Sequence, residues 1–264
     1  MCDWTIGCDA EIMLVRDGVL VSAVDLLPSS TEPLPLPYGG IFYDNVLAEF
    51  TIEPAKNKQT FVKHLQGNLQ AAKAMFARQG LGVRIVSSAR YPKEELQSVI
   101  AKQFACVPDF DAYTLKSNEP YAHASKTTLR SAGAHIHVGH EVFGDPSGEC
   151  PVNAKAILEM VKMMDLYLGL PSLSKDNTKE ARERRKLYGK AGAHRPKPYP
   201  GVEYRTLSNF WISTVADIEW VYDQTAKALT KIIEGETVVS MGVMEEELQM
   251  AINTGKPKLV REVT

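Results

Sequence analysis

The strongest constraint on the fold is a two-residue alternation of apolar and polar side chains in the segment AHIHVG, residues 134–139. Successive side chains of a β-strand point to opposite faces. Alanine, isoleucine and valine would therefore face a core, while His135 and His137 would share the opposite face. Two imidazoles on one face suit a metal ion or an anionic ligand. A purely structural histidine pair is equally consistent with this segment alone.

Three other strand-like segments repeat the pattern. Asp9 and Glu11 alternate with apolar residues in the first, Glu49 does so in the second, and Glu203 and Arg205 do so in the third. Two carboxylates two positions apart repel each other unless a cation lies between them. The alternatives are a solvated strand face for the acidic pair and a simple ion pair for the glutamate and arginine.

The rest of the chain is typical of alternating strands and amphipathic helices. An Asp17-Gly18 turn predicts a hairpin over residues 4–26, and prolines and glycines predict a loop over 27–40. The periodicity predicts the following further elements: strands over 41–55, 81–89 and 201–209, and helices over 60–79, 92–104, 153–168 and 214–233, with a short helix after 244. The faces of Asp44 and Glu53 are undecided, because a bulge would change them.

Residues 179–205 hold nine Lys or Arg against three Glu. Such a run is usually a solvated helix face, but glycines and prolines forbid a simple helix after residue 188. A loop that presents Lys190, Arg195 and Lys197 could neutralise phosphate. In the irregular segment 105–129, three more side chains could approach the site: Asp109, Asp111 and His123.

Length and charge restrict the class of protein. We expect one domain over residues 1–264, with 44% hydrophobic and 23% charged residues as in soluble globular proteins. The net charge of −2 gives no general attraction to nucleic acid or anionic membrane. We expect no spanning helix, because the chain lacks a run of 18 apolar residues, and we expect no signal peptide. The four cysteines are scattered, which favours reduced thiols in a cytoplasm.

The polar groups together predict a metal site. If the four segments line one hollow, it holds about four carboxylates and one or two imidazoles. Oxygen ligands with a minority of nitrogen favour Mg²⁺ or Mn²⁺ over Zn²⁺, and basic side chains beside such a site suit nucleoside triphosphate chemistry. Neither the GxxxxGK[ST] phosphate loop nor the Rossmann fingerprint occurs in the chain.

Four blocks in this order also resemble a known family. GCDAE, YDNVLAEF, RSAGAHIHVG and YGKAGAHRPKPYPGVEYRTLSNFW look like the signature blocks of carboxylate–amine ligases with the glutamine synthetase and glutamate–cysteine ligase fold. The chain most resembles the bacteriophage phiEco32-like amidoligases of type 2. The resemblance implies an α+β fold, in which an antiparallel sheet is curved into a funnel with helices packed outside. It also implies that ATP converts a carboxylate to an acyl phosphate, which an amine then attacks.

The resemblance assigns roles residue by residue. The implied metal ligands are Asp9, Glu11, Glu49, Glu203 and His137, with His135 a weaker match. The implied ATP and phosphate contacts are His135, Arg130, Lys190, Arg195, Lys197 and Arg205. Glu203 and Arg205 would be catalytic, because the arginine would stabilise the transferred phosphoryl group. The implied cofactor is Mg²⁺ or Mn²⁺, with ATP as co-substrate.

Several alternatives stay open. They are a small-molecule kinase of the same fold, a metal-dependent hydrolase, and a non-catalytic phage binding protein. A ligase would act on a small-molecule or peptide carboxylate and amine, with a modified nucleobase not excluded, and we expect no membrane partner. The sequence is compatible with a homo-oligomer and with the host cytoplasm if a phage encodes it. The loops over 27–40 and 187–200 are candidates for closing the site.

Overall fold

The long first strand, β1 (Thr5–Arg16), is the centre of the fold, because four other strands pair with it. The computed structural model describes residues 3–102, 109–118, 127–148, 150 and 152–259. His123, which the sequence placed near the site, lies outside these residues. A single domain over 1–264 stays a prediction.

The described residues form short strands and seven α-helices. The other strands are β2 (Val19–Val21), β3 (Leu34–Leu36), β4 (Gly39–Asp44), β5 (Leu47–Thr51), β6 (Gly82–Arg84), β7 (Ser88–Arg90), β8 (Phe110–Asp111), β9 (Leu129–Ser131), β10 (Ala134–Gly139), β11 (Ala193–Pro196) and β12 (Gly201–Tyr204). The helices are α1 (Lys58–Ala77), α2 (Val99–Lys102), α3 (Ala154–Met164), α4 (Leu170–Lys175), α5 (Lys179–Leu187), α6 (Val215–Ile233) and α7 (Glu245–Thr254).

The main sheet has the strand order β3-β4-β5-β1-β10-β12-β11-β8, and β2 and β6 pair with the second half of β1. Every pairing in it is antiparallel, and the sheet does not close among the described residues. β7 and β9 form a separate pair. The predicted α+β class, an antiparallel sheet with helices packed outside, is confirmed.

The core lies on one face of the sheet. Alternate residues of β1, such as Ile6 and Ala10, are fully buried in it together with Phe61 of α1, Met160 of α3 and Val221 of α6. These helices contribute the apolar stripes that the 3.6-residue period predicted. The intervening residues of each central strand therefore point away from this core, which is where the predicted functional side chains lie.

Turn chemistry explains where the strand predictions were right and wrong. The β1–β2 hairpin turns at Asp17 and Gly18, whose φ angles of 49° and 80° match the predicted tight turn. The single strand predicted over 41–55 is wrong: β4 and β5 form a second hairpin, because Asn45 adopts a φ of 52°. Asparagine tolerates this left-handed conformation better than most residues.

Other boundaries differ because tertiary pairing decides them. The loops predicted over 27–40 and 187–200 contain β3 and β11, the strand over 81–89 is split into β6 and β7, and the strand over 201–209 ends at Tyr204. The helix predicted over 153–168 continues beyond α3 as a π-helical turn, Asp165–Gly169, and then as α4. The predicted helices over 60–79 and 214–233 are confirmed as α1 and α6.

Candidate active site

The register of three neighbouring strands brings predicted polar residues side by side. Asp9 on β1 lies opposite His135 on β10, and His137 on β10 lies opposite Glu203 on β12. Each of these residues alternates with core residues of its strand, so all four share the face that points away from the core. We call these four residues the histidine cluster.

Both imidazoles of the histidine cluster contact Asp9. Its carboxylate oxygens lie 2.9 Å from Nδ1 of His135 and 3.1 Å from Nε2 of His137. Glu203 is farther away, at 3.8 Å from the same atom of His135 and 4.0 Å from that of His137. One ligand atom each of Asp9, His135 and Glu203 lies within 4.8 Å of the others, so these three groups could hold one metal ion.

A second group of carboxylates lies on the other side of β1. Glu11 is opposite Glu49 of β5, and the β4–β5 hairpin brings Asp44 to them. One oxygen of each lies within 4.8 Å of the others. We call these three residues the carboxylate cluster. Oε2 of Glu11 accepts a short hydrogen bond of 2.5 Å from the backbone N–H of Gly133, which fixes the position of this carboxylate.

Three cationic side chains converge on Glu203. Arg205 and Lys197 each donate a short hydrogen bond to one of its two carboxylate oxygens. Nη1 of Arg195, which lies opposite it on β11, is 3.5 Å from Oε1. Three of the predicted phosphate-binding residues therefore lie directly beside the histidine cluster, although their role stays a prediction.

Arg205 is the most buried of these cations. Besides contacting Glu203, its Nη1 lies 3.2 Å from Nδ1 of His135, and its Nε lies 3.5 Å from a carboxylate oxygen of Asp109. Burial would lower the pKa of this guanidinium, but Glu203, Asp9 and Glu11 raise it above its usual range. The side chain is thus a fixed positive charge between the two clusters.

The carboxylates divide into two electrostatic classes. Burial alone would raise the pKa of Asp9, but the charges and hydrogen bonds of His135 and His137 hold it well below its usual range. In the same way, burial and Asp9 would raise the pKa of Glu203, but Arg205 and both histidines lower it to about 2. The carboxylates of the histidine cluster are therefore stable as anions.

In the carboxylate cluster the balance is reversed. Burial raises the pKa values of Glu11, Asp44 and Glu49. For Glu49 the negative charges of Asp9, Asp44 and Glu11 add to this effect and raise its pKa well above the usual range. The negative charges of Asp44 and Glu11 repel that of Glu49, and a divalent cation would remove that repulsion.

A cavity of about 300 Å³ opens beside the carboxylate cluster. Its walls include Glu11, Asp44, His135, Asp109, Arg205 and Tyr188. It is large enough for a small substrate and borders both clusters. A group bound there could reach the carboxylates on one side and Arg205 on the other.

The two remaining predicted phosphate-binding residues are Arg130 and Lys190. Arg130 lines the cavity, but it is buried and donates hydrogen bonds to the backbone oxygens of Ala101, Thr127 and Leu129. The side chain of Lys190 is exposed.

Sequence reasoning left two residues of the site undecided and missed a third. Asp44 and Asp109 were undecided because their positions depend on a hairpin turn and on a short edge strand. Arg184 was missed: it is buried in the cavity wall, and it donates to the carbonyl oxygens of Arg205 and Thr206 at 3.2 and 2.7 Å. The available signal was its spacing of three residues from buried Ala181.

Among the described residues, no helix is long and apolar enough to cross a membrane. Two solved structures resemble the fold at 12% identity and a TM-score of 0.46 each. One is described as a novel glutamine synthase homolog and the other as GmaS without ligand. The similarity covers 97% and 98% of this chain but only 64% and 66% of theirs, so the chain spans less than two thirds of their length. No protein of curated function matches the chain.

A family model described as phage phiEco32-like COOH.NH2 ligase-type 2 matches residues 124–263. The match covers more than half of the chain and contains both histidines of the histidine cluster, Glu203 and Arg205. It contains the third and fourth of the four sequence blocks, whereas the first two lie outside the match. The chain belongs to the family of phage phiEco32-like COOH.NH2 ligases of type 2.

Proposed function

We propose that the protein is an ATP-dependent carboxylate–amine ligase that requires Mg²⁺ or Mn²⁺ and forms its amide bond through an acyl phosphate. The observation that supports this most directly is the adjacency of the two ligand clusters and Arg205 at one cavity. Membership of a carboxylate–amine ligase family supports the same reaction class.

The residues fit hard divalent cations. The carboxylate cluster offers oxygen atoms alone, and the histidine cluster offers carboxylates with imidazole nitrogen, which suits Mg²⁺ or Mn²⁺ better than Zn²⁺. Buried Oδ1 of Asp9 lies 2.9 Å from Nδ1 of His135, and both residues belong to the group that could hold one metal ion. When bound, the cations would neutralise the clustered carboxylates and screen the charges of ATP and of the acid.

The chain's own residues would act on both halves of the reaction. In the first, an oxygen of the substrate carboxylate attacks the γ-phosphorus of ATP, and the bond to the ADP oxygen breaks. Arg205, Arg195 and Lys197 lie beside the histidine cluster, and their positive charges would stabilise negative charge on the transferring group. Because these side chains are already held by Glu203, they need little reorganisation.

In the second half, the amine nitrogen attacks the carbonyl carbon of the acyl phosphate, and inorganic phosphate leaves. The nitrogen must then lose a proton. Asp109 is a buried carboxylate of the cavity wall that belongs to neither cluster, and we assign it the role of proton acceptor. Enclosure of the cavity would limit hydrolysis of the acyl phosphate.

The experiment that tests this proposal is trapping of the acyl phosphate with hydroxylamine. Hydroxylamine replaces the unknown amine, so a panel of carboxylic acids can be screened with Mg²⁺ and ATP for coloured hydroxamates. We expect ATP-dependent hydroxamate and an equal amount of ADP for at least one acid. Arg205→Ala should lose this activity, whereas Arg182→Ala, which changes an exposed arginine of α5, should retain it.

Other outcomes separate the alternatives. ADP with a stable phosphorylated acceptor and no hydroxamate would indicate a kinase. Calorimetry adds a check that needs no acid, because Mg²⁺-dependent binding of ATP should be lost in Glu11→Ala. A folded wild-type protein that neither binds ATP nor forms hydroxamate contradicts the proposal and favours the hydrolase or the non-catalytic protein.

A further inference from the structure

Outside the two clusters, one buried carboxylate contacts four hydrogen-bond donors. Asp165 is completely buried, at the start of the π-helical turn that follows α3. Its Oδ2 accepts from the hydroxyl of Tyr113 at 2.9 Å and from the backbone N–H of Gly192 at 2.6 Å. Its Oδ1 accepts from the hydroxyl of Tyr204 at 2.7 Å and lies 3.2 Å from the hydroxyl of Thr206, whose single proton is shared with the backbone oxygen of Lys190 at 3.0 Å.

These four donors come from the segments that surround Arg205. Tyr204 and Thr206 are the two neighbours of Arg205 in the chain, so Asp165 contacts the residues on both sides of Arg205. Gly192 precedes β11, which carries Arg195. Tyr113 belongs to the segment 109–118, whose Asp109 lies 3.5 Å from Nε of Arg205.

The backbone of the π-helical turn Asp165–Gly169 allows Asp165 and Tyr204 to approach each other. π-helical turns are rare and occur frequently at functional sites. A Cβ atom on Gly169, at the end of the turn, would lie 2.8 Å from the Tyr204 hydroxyl and 3.1 Å from Oδ1 of Asp165. The absence of a side chain at residue 169 is therefore what leaves room for the contact between Asp165 and Tyr204.

We infer that Asp165 is a positioning residue for the proposed ligase reaction, which fixes the side chain of Arg205 by holding Tyr204, Thr206 and the segments that carry Arg195 and Asp109. The inference rests on the role that the proposed function gives to Arg205. Asp165 touches neither cluster and acts only through the residues that it holds.

Protonation gives this arrangement a measurable signature. Burial raises the pKa of Asp165 to about 7, although the four hydrogen bonds lower it from the value that burial alone would give. The titratable groups that face it are Tyr113 and Tyr204, with Lys162 and Glu245 beyond Tyr113. The N–H of Gly192 can only donate, so a protonated carboxyl cannot serve all four donors equally well.

The first test is a pair of crystal structures, of Asp165→Asn and of Gly169→Ala. Asparagine has one acceptor oxygen, which the N–H of Gly192 requires, so the contacts with Tyr204 and Thr206 should loosen. We expect a retained fold in which the guanidinium of Arg205 shifts by about 1 Å or more, a displacement large enough to impair catalysis. An unmoved Arg205 in both variants, still bonded to Glu203 and His135, would overturn the inference whatever the protein catalyses.

The second test uses the hydroxamate assay. We expect kcat of Asp165→Asn to fall by about 100-fold with little change in KM for the acid. In the wild type kcat should change near pH 7, and this inflection should vanish in the variant. Thr225→Val removes another buried hydroxyl, in α6, and controls for general destabilisation.

A double-mutant cycle tests whether Asp165 acts on the reaction through Arg205. In an Arg205→Lys background, Asp165→Asn should cost little further activity, because both changes disturb one group. Full additivity of the two losses would overturn the positioning role. A wild type without hydroxamate activity would instead contradict the proposed function, and the structures of the two variants would then decide the inference alone.

Discussion

Two carboxylates on the same face of the sheet, Glu203 and Glu49, lie in opposite electrostatic surroundings. Glu203 contacts Arg205 and Lys197 directly and has Arg195 at 3.5 Å. Glu49 lies among carboxylates that raise its pKa in addition to burial. Removal of the Glu203 charge should therefore destabilise the fold, whereas removal of the Glu49 charge should relieve repulsion.

The corresponding prediction compares Glu203→Gln with Glu49→Gln in metal-free protein. Loss of the Glu203 charge leaves buried cations without their partner, and we expect the free energy of unfolding to fall by about 3 kcal/mol. Glu49→Gln removes mutual repulsion and should raise it by about 1 kcal/mol. Urea unfolding in EDTA measures both values, and equal losses in the two variants would contradict this account.

At this scale the sequence predicted which side chains share a face but not which of them touch. The two-residue period placed His135 and His137 together, and both contact Asp9. The period could not decide between them as ligands, because that depends on the register of β10 against β1 and β12. The pairing of Asp109 with Arg205 joins residues 96 positions apart and leaves no local signal.

At the scale of elements, the β4–β5 hairpin determines the composition of the carboxylate cluster. The turn at Asn45 directs Asp44 back toward Glu49, where a single long strand would have carried it away. The sequence contains no Asn-Gly or Asp-Gly pair at this turn, so it carries no strong signal for a hairpin there. Asp44 thus became a candidate ligand only through the structure.

This hairpin leads to a prediction about metal binding. A cation at 100 times its Kd should stabilise the wild type by about 2.7 kcal/mol. Asp44→Asn removes one of the three grouped carboxylates, and we expect at least about tenfold weaker Mn²⁺ binding, or about 1.4 kcal/mol less stabilisation. Thermal unfolding with and without Mn²⁺ measures this difference.

The matched control for that experiment is Glu53→Gln. Its side chain is exposed just after β5, and the sequence left its face as undecided as that of Asp44. We expect the Mn²⁺ response of Glu53→Gln to equal that of the wild type. A full response in Asp44→Asn would exclude this residue from the metal site.

At the scale of the whole molecule, the site is assembled from both halves of the chain. Asp9, Glu11 and Glu49 come from strands near the amino terminus, whereas His135 and Glu203 come from β10 and β12. The sequence correctly predicted a sheet with helices packed outside, because apolar periodicity identifies strands and helices. It could not predict that β1 lies between β5 and β10, since strand order depends on long-range packing.

The last prediction concerns the stability of the whole molecule against pH, through Asp165. Its pKa is raised to about 7 by burial, above that of an unfolded aspartate near 3.9. Between these two pH values the folded protein binds more protons than the unfolded chain. The contribution of Asp165 to the free energy of unfolding is therefore complete below about pH 4 and is lost as pH rises through about 7. From pH 5 to pH 8 the wild type should lose about 3 kcal/mol relative to Asp165→Asn, which cannot ionise at residue 165. Urea unfolding of both proteins at several pH values measures the difference, and parallel curves would mean that Asp165 titrates in the folded protein as it does in the unfolded chain.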